Sequence, residues 1–127
     1  MRRMGIITAA ALLFSLTVCL FSHFFIENTV HLARHLRTQA IEHMERGEIQ
    51  PAEETMVQLA QHLKDRQFFL EILCEHEDLH EIKEQLIDAQ ASIEFGSKED
   101  FYQAVYRFGE RIEHIADVES PRLSNFY

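Results

Sequence analysis

The chain has 127 residues, with 12 Lys+Arg against 21 Asp+Glu and a formal net charge of −9. That is one domain's worth of sequence, and its acidic balance speaks against DNA, RNA or anionic head groups as partners, because like charge repels phosphate. Its two cysteines, Cys19 and Cys74, make no disulfide framework and lie in segments of such different character that they are not expected to meet.

Arg2 and Arg3 are followed by 23 residues without a formal charge, Met4 to Ile26. As a helix this run is roughly 34 Å long, enough for a hydrocarbon core of about 30 Å. Residues 1–26 are therefore expected to be an uncleaved membrane anchor. A cleaved signal peptide is the first rival, but no small-residue cleavage site follows Leu16, and the apolar run goes on through Leu20, Phe21, Phe24, Phe25 and Ile26. A lipidated Cys19 is the second; Val18 is larger than the residue usual before such a cysteine, and the residues after it do not turn polar. Arg2 and Arg3 abut one side of the span, while Arg34 and Arg37 lie further off on the other. The positive-inside rule then puts the N-terminus in the cytoplasm and the C-terminal domain outside. His23, near the outer end, is expected to be a tolerated interfacial residue rather than a proton relay, since no partner for it is visible.

Residues 27–127 form the second part, an extracytoplasmic helical domain with a formal charge of −11, because both Arg2 and Arg3 and no acid belong to the anchor. β-branched residues are sparse there and no run alternates, so everything reads helical. A first helix over about 28–46 has Val30, Leu32, Leu36, Ala40, Ile41 and Met44 on a loose apolar face and continues the span without a breaker. Gly47 stops it, and Pro51 suits the first turn of the next. A stripe of Met56, Leu59, Ala60, Leu63, Leu70 and Leu73 gives way to another, Ile72, Leu79, Ile82, Leu86, Ala89 and Ile93. Either one long helix over 51–95 changes its buried face, or the polar Glu75-His76-Glu77-Asp78 stretch bends it. Gly96 ends the segment. Ser97 then serves as N-cap with Asp100 three residues on, a capping-box variant. Phe101, Ala104, Val105, Phe108, Ile112 and Ile115 form the face of a last helix that Pro121 ends. The fold class is all-α: a transmembrane helix followed by an antiparallel bundle of three to four amphipathic helices.

One motif points to chemistry. His76-Glu77-Asp78-Leu79-His80 matches H-E-x-x-H, which on a helix puts His76 and His80 on one face for zinc, with Glu77 as general base. The setting is poor. A catalytic zinc needs a third protein ligand; His114 is the only histidine further along, and nothing singles out Glu94, Glu110 or Glu113 instead. Asp78 puts a charge where such helices bury an uncharged residue. The motif is expected to be a solvated helix face with His76 half-buried at the bend. A zinc-dependent membrane peptidase is the alternative. Glu77, Glu81, Glu84 and Asp88 form an acidic stripe expected to be solvated, since like charges at this spacing repel. His31 and His35 share a face and are expected to be exposed. Phe68, Phe69, Phe101, Tyr102, Tyr106 and Phe108 are expected in the core, and Cys74 as a small buried hydrophobe, its thiolate disfavoured by Glu75.

The pattern Leu70-x-x-Leu73-x-x-His76-x-x-Leu79-x-x-Ile82-x-x-x-Leu86, with Ile112-Glu113-His114-Ile115, the ending Leu123-Ser124-Asn125-Phe126 and the N-terminal anchor, resembles a family of short single-pass membrane proteins catalogued as domain-of-unknown-function family 4363, found mainly in spore-forming Gram-positive bacteria. Members often carry tryptophan in the second helix; this chain has none, and Phe68 or Phe69 stands in that place. The resemblance implies a cell-envelope context beside multi-pass membrane proteins, no assigned activity, and a non-catalytic His76. The expectation from residues and resemblance together is a membrane-anchored, non-enzymatic interaction module. It needs no cofactor, metal or catalytic residue, and its partners are the membrane and another membrane or envelope protein, not nucleic acid.

Overall fold

The computed structural model describes residues 2–119. They form five α-helices and no strand: α1 Arg2–Glu45, α2 Ile49–Asp65, α3 Gln67–Leu73, α4 His76–Phe95 and α5 Lys98–Glu119. α1 runs unbroken for 44 residues. Its N-terminal half is exposed, and its buried residues begin at Ile26 and recur at Thr29, Val30, Ala33, Leu36, Ala40 and Met44. The apolar run and the first bundle helix are thus one rod. α1 is long and apolar enough to cross a membrane.

Gly47 ends α1 as the sequence predicts, at a φ of 77° that only glycine adopts freely. The Gly47 N–H donates to Met44 O (3.1 Å) and the Glu48 N–H to His43 O (2.8 Å). This pair of bonds satisfies the last carbonyls of α1 and turns the chain sharply back. Pro51 lies in the first turn of α2, where a missing N–H costs nothing. At the turn between α4 and α5 the Asp100 N–H donates to Ser97 Oγ at 3.2 Å, so Ser97 caps α5.

Residues 51–95 are neither one long helix nor two. They divide twice. Arg66 leaves helical geometry at φ −103°, ψ 5°, with its N–H on Leu63 O. Cys74 and Glu75 are extended, and Glu77 and Asp78 then open α4, where carboxylates suit the positive end of the helix dipole. The first break reorients α3, and this corrects two expectations. Phe68 and Phe69 lie outside the core, 69% and 44% exposed, and Ile72 is exposed with them; in α3 only Leu70 is buried. Cys74 is half-buried, packed against the core.

The helices pack as two hairpins. α1 packs chiefly on α2 and α4 on α5; α1 then joins α5, and α2 meets α4 more sparsely. Phe101, Phe108, Met56, Leu59 and Val105 are almost wholly buried between them. The stripe on α5 is buried as the sequence predicts, from Phe101 through Ile115. Tyr106, by contrast, is exposed and Tyr102 half-buried. Pro121 and the Leu123–Phe126 ending lie outside the described residues.

Candidate functional site

The H-E-x-x-H segment forms the first turn of α4. His76, Glu77 and His80 are all exposed there, so His76 is not half-buried as expected. The residue that the turn buries is Asp78, whose side chain is 8% exposed. One hundred degrees per residue explains the difference: with Leu79, Ile82 and Leu86 facing inward, position 78 also falls on the inner edge of the helix, and 76 and 80 do not.

Burying a carboxylate requires compensation, and α5 supplies it. Arg111 Nη1 donates to Asp78 Oδ1 at 3.0 Å, and its Nη2 pairs with Glu81. His114 Nε2 is 3.9 Å from Asp78 Oδ2. A guanidinium therefore already sits between Asp78 and Glu81. His80 Nε2 is 3.1 Å from Glu84 Oε1 on its own helix. Among the described residues no group of three or more His, Cys, Asp and Glu is placed to hold a metal ion. His114, the third ligand the sequence offers, is drawn to Asp78. The acidic stripe is divided in the same way: Glu81 to Arg111, Glu84 to His80.

Further polar contacts join helices. Arg34 on α1 forks onto Glu113 on α5, with Nη2 to Oε2 at 2.6 Å and Nε to Oε1. This contact holds the Glu113 carboxyl below its usual range and raises Arg34. Arg37 on α1 donates from Nε to the Val105 carbonyl of α5 at 2.9 Å. Gly109 makes room for it: a Cβ there would lie 2.6 Å from Arg37 Nε. Buried His62 on α2 is 3.1 Å from Thr29 O on α1 through Nε2 and 3.4 Å from Arg66 Nη1 through Nδ1. Nε2 must donate to the carbonyl and Nδ1 accept from the guanidinium, so the ring is neutral. Burial lowers its pKa, and Arg66 adds to that. The inter-helix hydrogen bonds from Arg34, Arg37, His62 and Arg111 to Glu113, Val105, Thr29 and Asp78 are not visible in the helical stripes, because each joins residues 33 or more apart in sequence.

Two surfaces remain. At the end of the bundle where the apolar run of α1 emerges, Phe69 of α3 lies edge-on to Phe21 (5.9 Å between ring centres) and 5.5 Å from Phe25, with Phe68 at 5.4 Å beyond it. Arg66 stands 5.9 Å over Phe25 and donates to Asn28 Oδ1 at 2.9 Å. The exposed apolar surface of α1 thus widens sideways onto Phe68, Phe69 and Ile72. The second surface is a cleft of about 270 Å³ between α2 and α4, apolar within, with Leu63, Leu70, Ile82, Leu86, Ile112 and Ile115 among its walls.

No curated protein and no solved structure matches the chain. A family model does, over residues 20–126: the domain of unknown function DUF4363. The match takes in the end of the apolar run, all of the bundle and the ending, and with most of its length covered the chain belongs to the DUF4363 family.

Proposed function

We propose that this protein is a membrane-anchored, non-enzymatic interaction module of the bacterial cell envelope. Residues 1–26 cross the membrane with the N-terminus in the cytoplasm. The helical domain stands on the outer face and offers its surface to another membrane or envelope protein. The observation that carries the reading is the continuity of α1. Its apolar residues are exposed up to Phe24, and its buried face begins at Ile26, within one uninterrupted helix. An exposed apolar helix of that length has a natural solvent in lipid, where its backbone is satisfied internally. The aromatic foot of Phe68 and Phe69 beside Phe21 and Phe25 suits the membrane–water boundary, as aromatic belts do. The non-enzymatic half of the reading is supported by the fate of the one catalytic motif, whose histidines point to solvent and whose third ligand is engaged elsewhere. The zinc-peptidase alternative has no comparable support.

A reporter fused after Tyr127 tests the arrangement. It should be active only outside the cytoplasm, with the intact N-terminus recovered in the membrane fraction. Cytoplasmic activity of the inserted protein overturns the orientation, and loss of the N-terminal residues overturns the anchor. For the interaction itself, the full chain extracted in mild detergent should carry a stoichiometric membrane or envelope partner; a chain that is recovered alone at every stage refutes it.

A further inference from the structure

Among the described residues, the cleft between α2 and α4 is an apolar departure from close packing that reaches into the bundle interior. Side-chain hydrogen bonds or ion pairs tie α1 to α2 (His62 to Thr29), α1 to α5 (Arg34 to Glu113, Arg37 to Val105) and α4 to α5 (Arg111 to Asp78 and Glu81). Among the described residues none spans α2 and α4. The two hairpins are thus held along one seam and left open along the other, and the open seam leads into the core.

Its chemistry is that of a binding site for an amphiphile. The interior is built from Leu, Ile and Val side chains of all five helices. The polar groups stand at the rim: Lys64 and Gln67 on one side, Lys83 and Gln90 on the other. Both lysines are exposed, and neither has an acidic partner within 4.0 Å among the described residues. Apolar cavities of about 150 Å³ stay dry and accept apolar guests. This one, at about 270 Å³, falls just under the range of about 300–1,000 Å³ typical of small-molecule sites. It is therefore sized for one chain rather than two. Ile26, Thr29 and Val30 of α1, which adjoin the proposed span, are among its lining residues.

We propose that the α2–α4 cleft binds a long-chain fatty acid, with the alkyl chain among Leu63, Ile82, Leu86 and Ile115 and the carboxylate between Lys64 and Lys83. The site goes beyond the anchoring role and rests on it only for the source of the ligand, the adjoining membrane.

The test uses the full chain in phosphatidylcholine nanodiscs and a fatty acid bearing a diazirine at its chain end. Irradiation expels dinitrogen and inserts the probe into whatever C–H bonds surround it, and peptide mapping by mass spectrometry locates the label. Label is expected within residues 79–90 and 112–115, displaced by unlabelled fatty acid. It should fall severalfold for the Lys64→Glu/Lys83→Glu double variant, whose exposed positions leave the fold intact. It should be weaker for the corresponding fatty alcohol, and Ala60→Phe, which fills the cleft from its wall, should abolish it. Label confined to residues 4–26 overturns the cleft while leaving the anchor standing. Label in the cleft but not in 4–26 upholds the site and removes the membrane span. Label in neither overturns both, and equal labelling by acid and alcohol, or by wild type and the double lysine variant, overturns the carboxylate site.

Discussion

Replacing Gly109 by alanine sets two physical effects against each other, and the structure decides the sign. Gly109 is inside α5. Helix propensity alone makes Gly109→Ala stabilising by about 0.8–1.0 kcal/mol. The new Cβ, however, would stand 2.6 Å from Arg37 Nε and 2.7 Å from its Cζ. The guanidinium is the free end of a flexible side chain and can swing away, but it then leaves the Val105 carbonyl. That carbonyl keeps its helical N–H, so the loss is the charge-assisted bond alone, about 1.5–3 kcal/mol. Arg37 is half-buried and recovers some hydration, which favours the lower end. The net is a destabilisation of about 0.5–2 kcal/mol. In an Arg37→Met background the obstacle and the bond are both gone, and Gly109→Ala should stabilise by up to about 1 kcal/mol. Urea unfolding of the full chain in detergent micelles, followed by far-ultraviolet circular dichroism, measures the four corners of this cycle. The reasoning fails if Gly109→Ala raises the midpoint with Arg37 present, or if its effect is the same in both backgrounds.

Phe108, 1% exposed, should cost about 3–5 kcal/mol when truncated to alanine, read in the same unfolding assay. His80→Ala should shift stability by less than about 0.5 kcal/mol, whereas Asp78→Ala, which strips Arg111 of its buried acceptor but leaves it Glu81, should cost about 1–3 kcal/mol; zinc analysis of the unsubstituted chain after dialysis should find no stoichiometric metal, and tight one-to-one zinc lost on both His76→Ala and His80→Ala would revive the peptidase. His62 is held neutral with a lowered pKa, so the unfolded chain binds its proton more readily; its contribution to stability is complete above the ordinary value of about 6.5 and falls as pH drops below it. His62→Gln, which keeps a donor for Thr29 O, should flatten that part of the pH–stability curve.

Where an element depends on local chemistry, the sequence suffices. Gly47 with its positive φ, Ser97 as a cap and the α5 stripe from Phe101 to Ile115 each follow from a residue and its near neighbours. Burial near a helix break does not follow, because a break rotates everything beyond it. Arg66 leaves helical geometry while bound to Asn28 and stacked on Phe25, contacts to α1 that periodicity cannot register. That turns Phe68 and Phe69 outward. The same limit governs the H-E-x-x-H segment. Its spacing is a property of one helix, whereas its chemistry depends on what α5 brings opposite, and α5 brings Arg111 to Asp78 instead of a third ligand to His76 and His80.

The distribution of these cross-links also bears on where the bundle yields. A seam tied by side-chain hydrogen bonds resists opening more than one held by apolar contact around a void, since separating the first breaks polar pairs and separating the second forfeits contacts already incomplete. The α1–α2, α1–α5 and α4–α5 seams are of the first kind, and the α2–α4 seam is of the second. α3, the short element between α2 and α4, bridges the open seam at the end bearing Phe68 and Phe69. It is flanked by the irregular residues Arg66 and Cys74. The aromatic foot on α3 therefore adjoins the least constrained pair of helices, while α1, one rod from Arg2 to Glu45, lies on the tied side of the bundle.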